Sequence, residues 1–352
     1  MRFILAVVVP MLLFVTFSCK EKSSSNSTFY DTSKQIEIVR SKDGMVFIPE
    51  GEFFMGTNDP ESYPVERPAV KRKVKAFWMD ETEVTNAQFA EFVAETGYVT
   101  MAEKTPDWEE MKKQLPPGTP KPPEENMQPG SMVFSAPSSR VPLHDISLWW
   151  KWVLGASWKH PEGPGSDIEG LENHPVVHIA YEDAEAYAKW AGKRLPTETE
   201  WEYAAKSGRE HQRYAWGDTY KPQMSFMANT FQGEFPNNNL AEDGFEGTAP
   251  VKSFPPNDYG LYDMIGNVWE MTSDWYDAIK FRRLAGNAPA LDSSISQCYN
   301  PTNPYALEKV IKGGSFLCAD DYCINYRPSA RQGQDYESGT SNIGFRCVRD
   351  VE

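Results

Sequence analysis

PVVHIAYEDAEAYAKWAGKRLPTETEWEYAAKSG, residues 175–208, holds the clearest local signals in the chain. It predicts a short strand, a helix ending at Gly192, and a second helix capped by Thr197 with Glu200 at its third position. Upstream, Thr85 followed by Gln88 is a capping-box pattern. Phe89, Phe92 and Val93 then recur at helical spacing until Gly97, which predicts a helix packed by one aromatic face. MVFIPEGEFFMG (45–56) alternates apolar residues around Pro49 and Gly51, as a short hairpin would. Between Lys104 and Ser147 a proline-rich stretch with scattered charge reads as an irregular surface excursion. Downstream of Gly208 the chain is loop-rich until SNIGFRCVRD (341–350), which predicts a terminal strand.

The 24 Gly and 27 Pro stand beside 11 Trp, 16 Tyr and 19 Phe. Many turns combined with a large aromatic payload imply short elements joined by long, well-packed loops. No second linker and no repeat breaks the part after residue 42, so residues 43–352 are expected to form one domain. The net charge of −15 excludes a nucleic-acid partner, because phosphate binding needs a basic surface.

The N-terminus follows different rules. Met1-Arg2 precedes an apolar run from Phe3 to Phe17, shorter than the about 20 residues of a membrane span. Ser18-Cys19 then suits a lipoprotein signal peptidase, so residues 1–18 are expected to be a signal peptide and Cys19 a lipidation site. Ordinary cleavage beyond Cys19 is the alternative. Residues 19–42, rich in Ser, Lys, Thr and Asn, read as a flexible tether. The resulting expectation is an exported, membrane-anchored protein on the periplasmic or cell-surface face.

Five cysteines occur: Cys19, Cys298, Cys318, Cys323 and Cys347. If Cys19 carries lipid, the other four in an oxidising compartment read first as disulfides, with three pairings open.

The motifs GEFFMG, KRLPTETEWEYAA, YAWGD, GNVWEMTSDW, KGGSF and SNIGFRC follow one another in the order found in the formylglycine-generating enzyme family, also called sulfatase-modifying factors. The chain resembles that family from Asp43 to Asp350. The resemblance implies a single mixed α+β domain, loop-rich, sparse in regular structure and related to the C-type-lectin fold, which also serves binding and structural proteins. GGSFLCADDYC places Cys318 and Cys323 where catalytic members have their cysteine pair, while many non-enzymatic relatives lack both.

Two thiolates are soft ligands that select Cu(I), and a pair without adjacent histidine suits low-coordinate copper better than four-ligand zinc. By resemblance, the reaction is the copper-dependent oxidation by O2 of a cysteine in sulfatase polypeptides, within Cys-x-Pro-x-Arg, to Cα-formylglycine. Ser315 and Trp269 match family residues lining the oxygen and substrate pocket. Arg331 and Asn342 fall where the family forms its peptide groove, which makes them substrate-contact candidates. Ser315 and Trp269 also have plainer readings, a turn residue after Gly313-Gly314 and a core aromatic.

Hard oxygen donors form a second set. Asn229 and Asp243 lie around GEFPNNNLAEDGF, and Asp263 and Glu270 bracket DMIGNVWE, as structural Ca²⁺ would require. The family match adds backbone oxygens of Thr230, Phe245, Gly266 and Val268, with Glu83 as a further donor; solvated acidic turns are the alternative. The extra disulfide cysteines of animal members are replaced here by Ala188 and Pro328, which leaves a Cys298–Cys347 bridge open. The five histidines are scattered, so an iron site is not expected. A monomer acting on sulfatases is the leading expectation. A non-catalytic structural or binding lipoprotein is the second, and a carbohydrate-binding module, lacking any sugar motif, the third.

Overall fold

The computed structural model describes residues 37–289 and 297–351. Its helices begin and end where local chemistry directs. Helix α1 (Asn86–Thr96) starts at Thr85, whose hydroxyl accepts from Gln88 N while the Gln88 side chain accepts from Thr85 N, and it stops at Gly97 in the left-handed region. The single turn α2 (Trp108–Met111) lies in the proline-rich excursion. Helix α3 (Tyr181–Trp190) begins after Ala180, whose N–H is taken by the Asp183 carboxylate, and ends ahead of left-handed Gly192. Helix α4 (Glu198–Lys206) has the Thr197–Glu200 capping box that its sequence predicts. A last short helix, α5, covers Lys280–Leu284.

Strands are short and find distant partners. They are β1 (Met45–Ile48), β2 (Gly51–Met55), β3 (Val70–Val74), β4 (Phe77–Asp80), β5 (Gly130–Phe134), β6 (Trp150–Leu154), β7 (Gly233–Glu234), β8 (Asn238–Asn239), β9 (Trp269–Trp275), β10 (Glu308–Lys312), β11 (Arg331–Asp335), β12 (Ile343–Gly344) and β13 (Val348–Asp350). One sheet has the order β1-β4-β13 and another β11-β10-β9-β12; β2-β3, β5-β6 and β7-β8 are two-stranded. This is the mixed, loop-rich α+β architecture expected.

Three local expectations need correction. Residues 45–56 do form two strands, but β1 pairs with β4 and β2 with β3, so there is no hairpin between them. The terminal segment is two strands in two sheets. β12 runs parallel to β9 and β13 antiparallel to β4, because Phe345 and Arg346 between them turn wholly inward. Residues 175–179 form only an isolated bridge, Thr85 to Pro175: Pro175 has no N–H for a ladder and His178 sits at φ 61°. The compact unit also begins at Glu37, a few residues before Asp43.

The main core gathers Phe89, Phe92, Tyr187 and Phe345 from α1, α3 and the C-terminal segment, with Trp201 of α4 fully buried. Each such side chain contributes on the order of 2 kcal/mol of burial. Where regular structure is sparse, interior ion pairs tie the loops. Glu66 meets Arg327, Glu202 meets Lys312, Glu198 meets Arg331 and Glu270 meets Arg346, all with side chains at most 2% exposed. Such pairs add little net stability but are costly to break singly.

Candidate functional site

The loop after β10 is shaped by two glycines. Gly313 and Gly314 take φ of 93° and 75°, and a Cβ on either would stand 2.9 Å from a backbone oxygen, of Met264 and Asn325 respectively. This turn delivers residues 315–319 into the interior, where Phe316 N donates to Asn267 O and Phe231 N to Cys318 O; the chain then surfaces at Asp320 and Asp321 and returns as Cys323 N donates to Ala319 O.

The two sulfurs meet there, with Sγ of Cys318 and Cys323 3.0 Å apart, both free thiols and not a disulfide. Cys318 is buried and Cys323 partly open. Ser315 N lies 3.4 Å from the Cys318 sulfur, and Asn325 Nδ2 donates to the Cys323 sulfur at 3.1 Å. Burial pushes the Cys318 thiol well up, reinforced by its partner. The hydrogen bond from Cys318 draws Cys323 down, helped by the Asn325 amides and the Arg327 charge. The pair therefore ionises first at the more open sulfur.

Ser315 and Asn342 meet next to Cys318, and Trp269 joins them through its backbone. Asn342 Nδ2 donates to Ser315 Oγ at 2.9 Å, and Trp269 N donates to Asn342 O at 2.9 Å. Trp269 shares the packed core with Cys318. Ser315 Oγ also accepts from Leu317 N. Several contributors had escaped the sequence reading. Asn325 stands two residues beyond Cys323, a spacing that was itself a usable signal. Tyr322 stacks on Phe235 at 4.5 Å between centroids and meets Trp149 edge-on, an aromatic wall beside Cys323 with no local sequence signature.

Arg331 does not join this group, which corrects its expected contact with substrate. Its guanidinium has no exposure. Nε and Nη2 donate to Glu198, Nη1 to Asp277 O, and the group lies over the Tyr276 ring at 4.8 Å. Cys298 packs with Tyr276 and Val310 while Cys347 lies in the main core, so the two form no disulfide. Cys19 lies outside the described residues.

The oxygen-rich loops also converge. Asp243 accepts from Thr230 N at 2.9 Å and from Phe245 N at 3.1 Å. Asn229 is buried with Oδ1 lacking any hydrogen-bond partner. In the second loop, Asp263 and Glu270 approach Glu83, whose Oε2 is likewise buried without a hydrogen bond. Burial and the charges of Asp263 and Glu270 hold Glu83 well above the usual carboxylate range, while Arg346 forks onto Glu270. Asn267 joins the two loops: its amide donates to Glu83 Oε1 and its carbonyl accepts from Asn229. Gly266 is required at the junction, since a Cβ would stand 2.2 Å from Asn229 O. Asn229 Oδ1 in the first loop and Glu83 Oε2 beside the second lack hydrogen bonds, which fits a hard cation at the first loop; at the second, Arg346 Nη2 already stands 3.9 Å from Glu83 Oε2. Among the described residues no three His, Cys, Asp or Glu side chains form a metal-holding group, so a cation at either loop would draw on amide and backbone oxygens.

Residues 31–351 match the family described as the Sulfatase-modifying factor enzyme 1-like domain. The formylglycine-generating enzyme of Mycobacterium tuberculosis is 46% identical, over 87% of this chain and 97% of its own length. A Bos taurus protein named as an inactive Cα-formylglycine-generating enzyme 2 is 38% identical, over 86% of this chain and 87% of its own. Among solved structures, PvdO from Pseudomonas aeruginosa shares the fold with a TM-score of 0.53 and 23% identity, covering 90% of this chain and 99% of that one. Family match, identity and fold agree: the chain belongs to the sulfatase-modifying factor family.

Proposed function

We propose that this protein converts a cysteine of sulfatase polypeptides into Cα-formylglycine, with Cu(I) held by Cys318 and Cys323 and O2 as oxidant. The observation that carries this is the pair of unbonded thiols 3.0 Å apart, one buried and one partly open, in a loop shaped to hold them. Two soft sulfurs without a nitrogen or carboxylate ligand fit Cu(I) and leave room for a substrate thiol. When bound, the metal supplies the redox step that activates O2 and permits oxidation at the substrate Cβ.

The chain's own residues do the rest. Cys323 carries the pair's first negative charge, and the Asn325 amide fixes its direction. Ser315 accepts from Asn342 and Leu317, which leaves its hydroxyl proton to donate to a group entering beside the sulfurs. The partly exposed ring of Tyr322, backed by the buried Phe235 and Trp149, offers an apolar face to a peptide and excludes water on that side.

Structural Ca²⁺ at the Asn229–Asp243 and Asp263–Glu270 loops, and a lipid anchor at Cys19, complete the proposal. A non-catalytic binding or surface lipoprotein is favoured by one finding, the 38% identity to a relative named inactive. Incubating the reduced protein with Cu(I), O2 and a Cys-x-Pro-x-Arg peptide, followed by mass spectrometry, separates the two. Aldehyde formation supports the enzyme, and an unchanged peptide in the presence of bound copper supports the binding protein.

A further inference from the structure

The proline-rich stretch after Lys104 folds back over β5 and β6. With the segment following β11 it walls a groove of about 830 Å³. Gln114 pins the stretch in place, donating to Glu337 and accepting from Leu307 N. The groove is apolar inside. Met101, Met111 and Met132 reach it from three separate segments, and Trp152 and Leu154 of β6 are each 42% exposed there. Large apolar side chains gathered in one concavity mark an interaction site, and unbranched thioethers adapt to partners of varied shape.

Its rim carries one sign of charge. Asp107, Glu110, Asp335 and Glu337 line it against a single cation, Lys104. Glu110 is paired with Lys113, which lies off the lining, but Asp335 and Glu337 have no ion pair among the described residues. Burial and the neighbouring charges of Asp335, Glu182 and Glu110 push Glu337 above the ordinary carboxylate range. A cationic group entering the rim would relieve that repulsion.

Strand β5 joins this groove to the cysteine pair. Met132 O accepts from Ser341 N, and Phe134 N donates to Ser341 Oγ; the next residue, Asn342, holds Ser315. Phe134 stacks with Phe235, which stacks with Tyr322 beside Cys323. Two residues of strand, about 7 Å, thus separate the groove wall from the aromatic wall of the site.

We infer that the groove docks a second stretch of the substrate polypeptide, an extended segment with apolar side chains flanked by Lys or Arg, while the reacting cysteine lies at Cys318 and Cys323. The inference rests on the proposed function for its client and adds a docking site that the short cysteine motif does not occupy.

Two probes test it: a peptide holding only the Cys-x-Pro-x-Arg motif, and a sulfatase-derived polypeptide with the same motif and its natural flanks. Each is also made with Ser for Cys and labelled, so that fluorescence anisotropy reads binding without turnover. The wild type should bind the long Ser probe at least about tenfold more tightly than the short one, about 1.4 kcal/mol. Met111→Asp/Leu154→Asp and Asp107→Lys/Glu337→Lys should each abolish that advantage while leaving the short peptide's binding and kcat/KM unchanged. Equal affinity of wild type for both probes, or a loss shared by both probes in well-folded variants, overturns the inference. Protection of the groove by a second copy in sedimentation, or by phospholipid vesicles in place of the long probe, overturns it too. Absent turnover with a retained long-probe advantage would reject the catalytic reading and leave the groove standing, so the two failures are distinguishable.

Discussion

Replacing Arg331 by Met should destabilise the fold and leave peptide recognition by the surviving native molecules intact. In the native state burial alone would push Glu198 up, but Arg331, Lys280 and Lys312 overcome it and hold that carboxylate well below its ordinary range. Arg331 supplies contacts of 2.6 and 3.2 Å to Glu198, and its removal leaves Glu198 with Lys280 at 2.8 Å. Breaking a buried pair from one side costs about 3–5 kcal/mol, and the remaining Lys280 places this case near about 3 kcal/mol. For a domain of this size that lowers the melting temperature by roughly 6 °C. Urea denaturation of wild type, Arg331→Met, Glu198→Gln and the double variant reads it as a cycle. The double variant should lose less than the sum of the singles, by about 1 kcal/mol or more. An Arg331→Met protein of wild-type stability with a raised peptide KM would refute this assignment and return Arg331 to the peptide site.

Chelation at low free calcium should lower the melting temperature, since a ligand bound only to the native state stabilises it by mass action. Asp243→Ala and Glu83→Gln should each shrink that shift, and a melt indifferent to chelator contradicts the cation sites. His178, pushed down to about 4 by burial, is neutral in the fold. Its contribution is complete above its ordinary 6.5 and is lost as pH falls toward 4, about 3 kcal/mol in all. Asp183, raised to about 6 by burial, changes with the opposite sign over that range. The readout is therefore the difference between wild type and His178→Gln across pH 4–7, and a flat difference refutes the assignment. Cys19→Ala should move the protein from the membrane fraction or leave its leader uncleaved; unchanged retention after normal cleavage contradicts lipidation.

What sequence made legible here was whatever a few consecutive residues decide. Thr85 with Gln88, Thr197 with Glu200, and the glycines at 97 and 192 mark helix ends through bonds spanning three or four positions. Sheet partners are a different matter: β4 pairs with β1 on one side and, some 270 residues further along, with β13 on the other. Nothing local in Met45–Met55 says that its two strands serve different sheets. At the candidate site, Gly313-Gly314 and the cysteine spacing were legible because both are local. Tyr322's wall depends on Trp149 and Phe235, and the role of Arg331 on Glu198, so neither had a sequence signal of its own. The excursion after Lys104 looked structureless because its order comes from contacts such as Gln114 with Glu337, not from periodicity.

The central claim is that Cys318 and Cys323 together form the reactive site, and its most direct test is turnover of a Cys-x-Pro-x-Arg peptide by the Cu(I)-loaded protein in O2. Formylglycine should form with the wild type and fall by orders of magnitude in Cys318→Ser and in Cys323→Ser, with melting temperatures nearly unchanged because no bond joins the two sulfurs. Full activity in either variant would contradict the account.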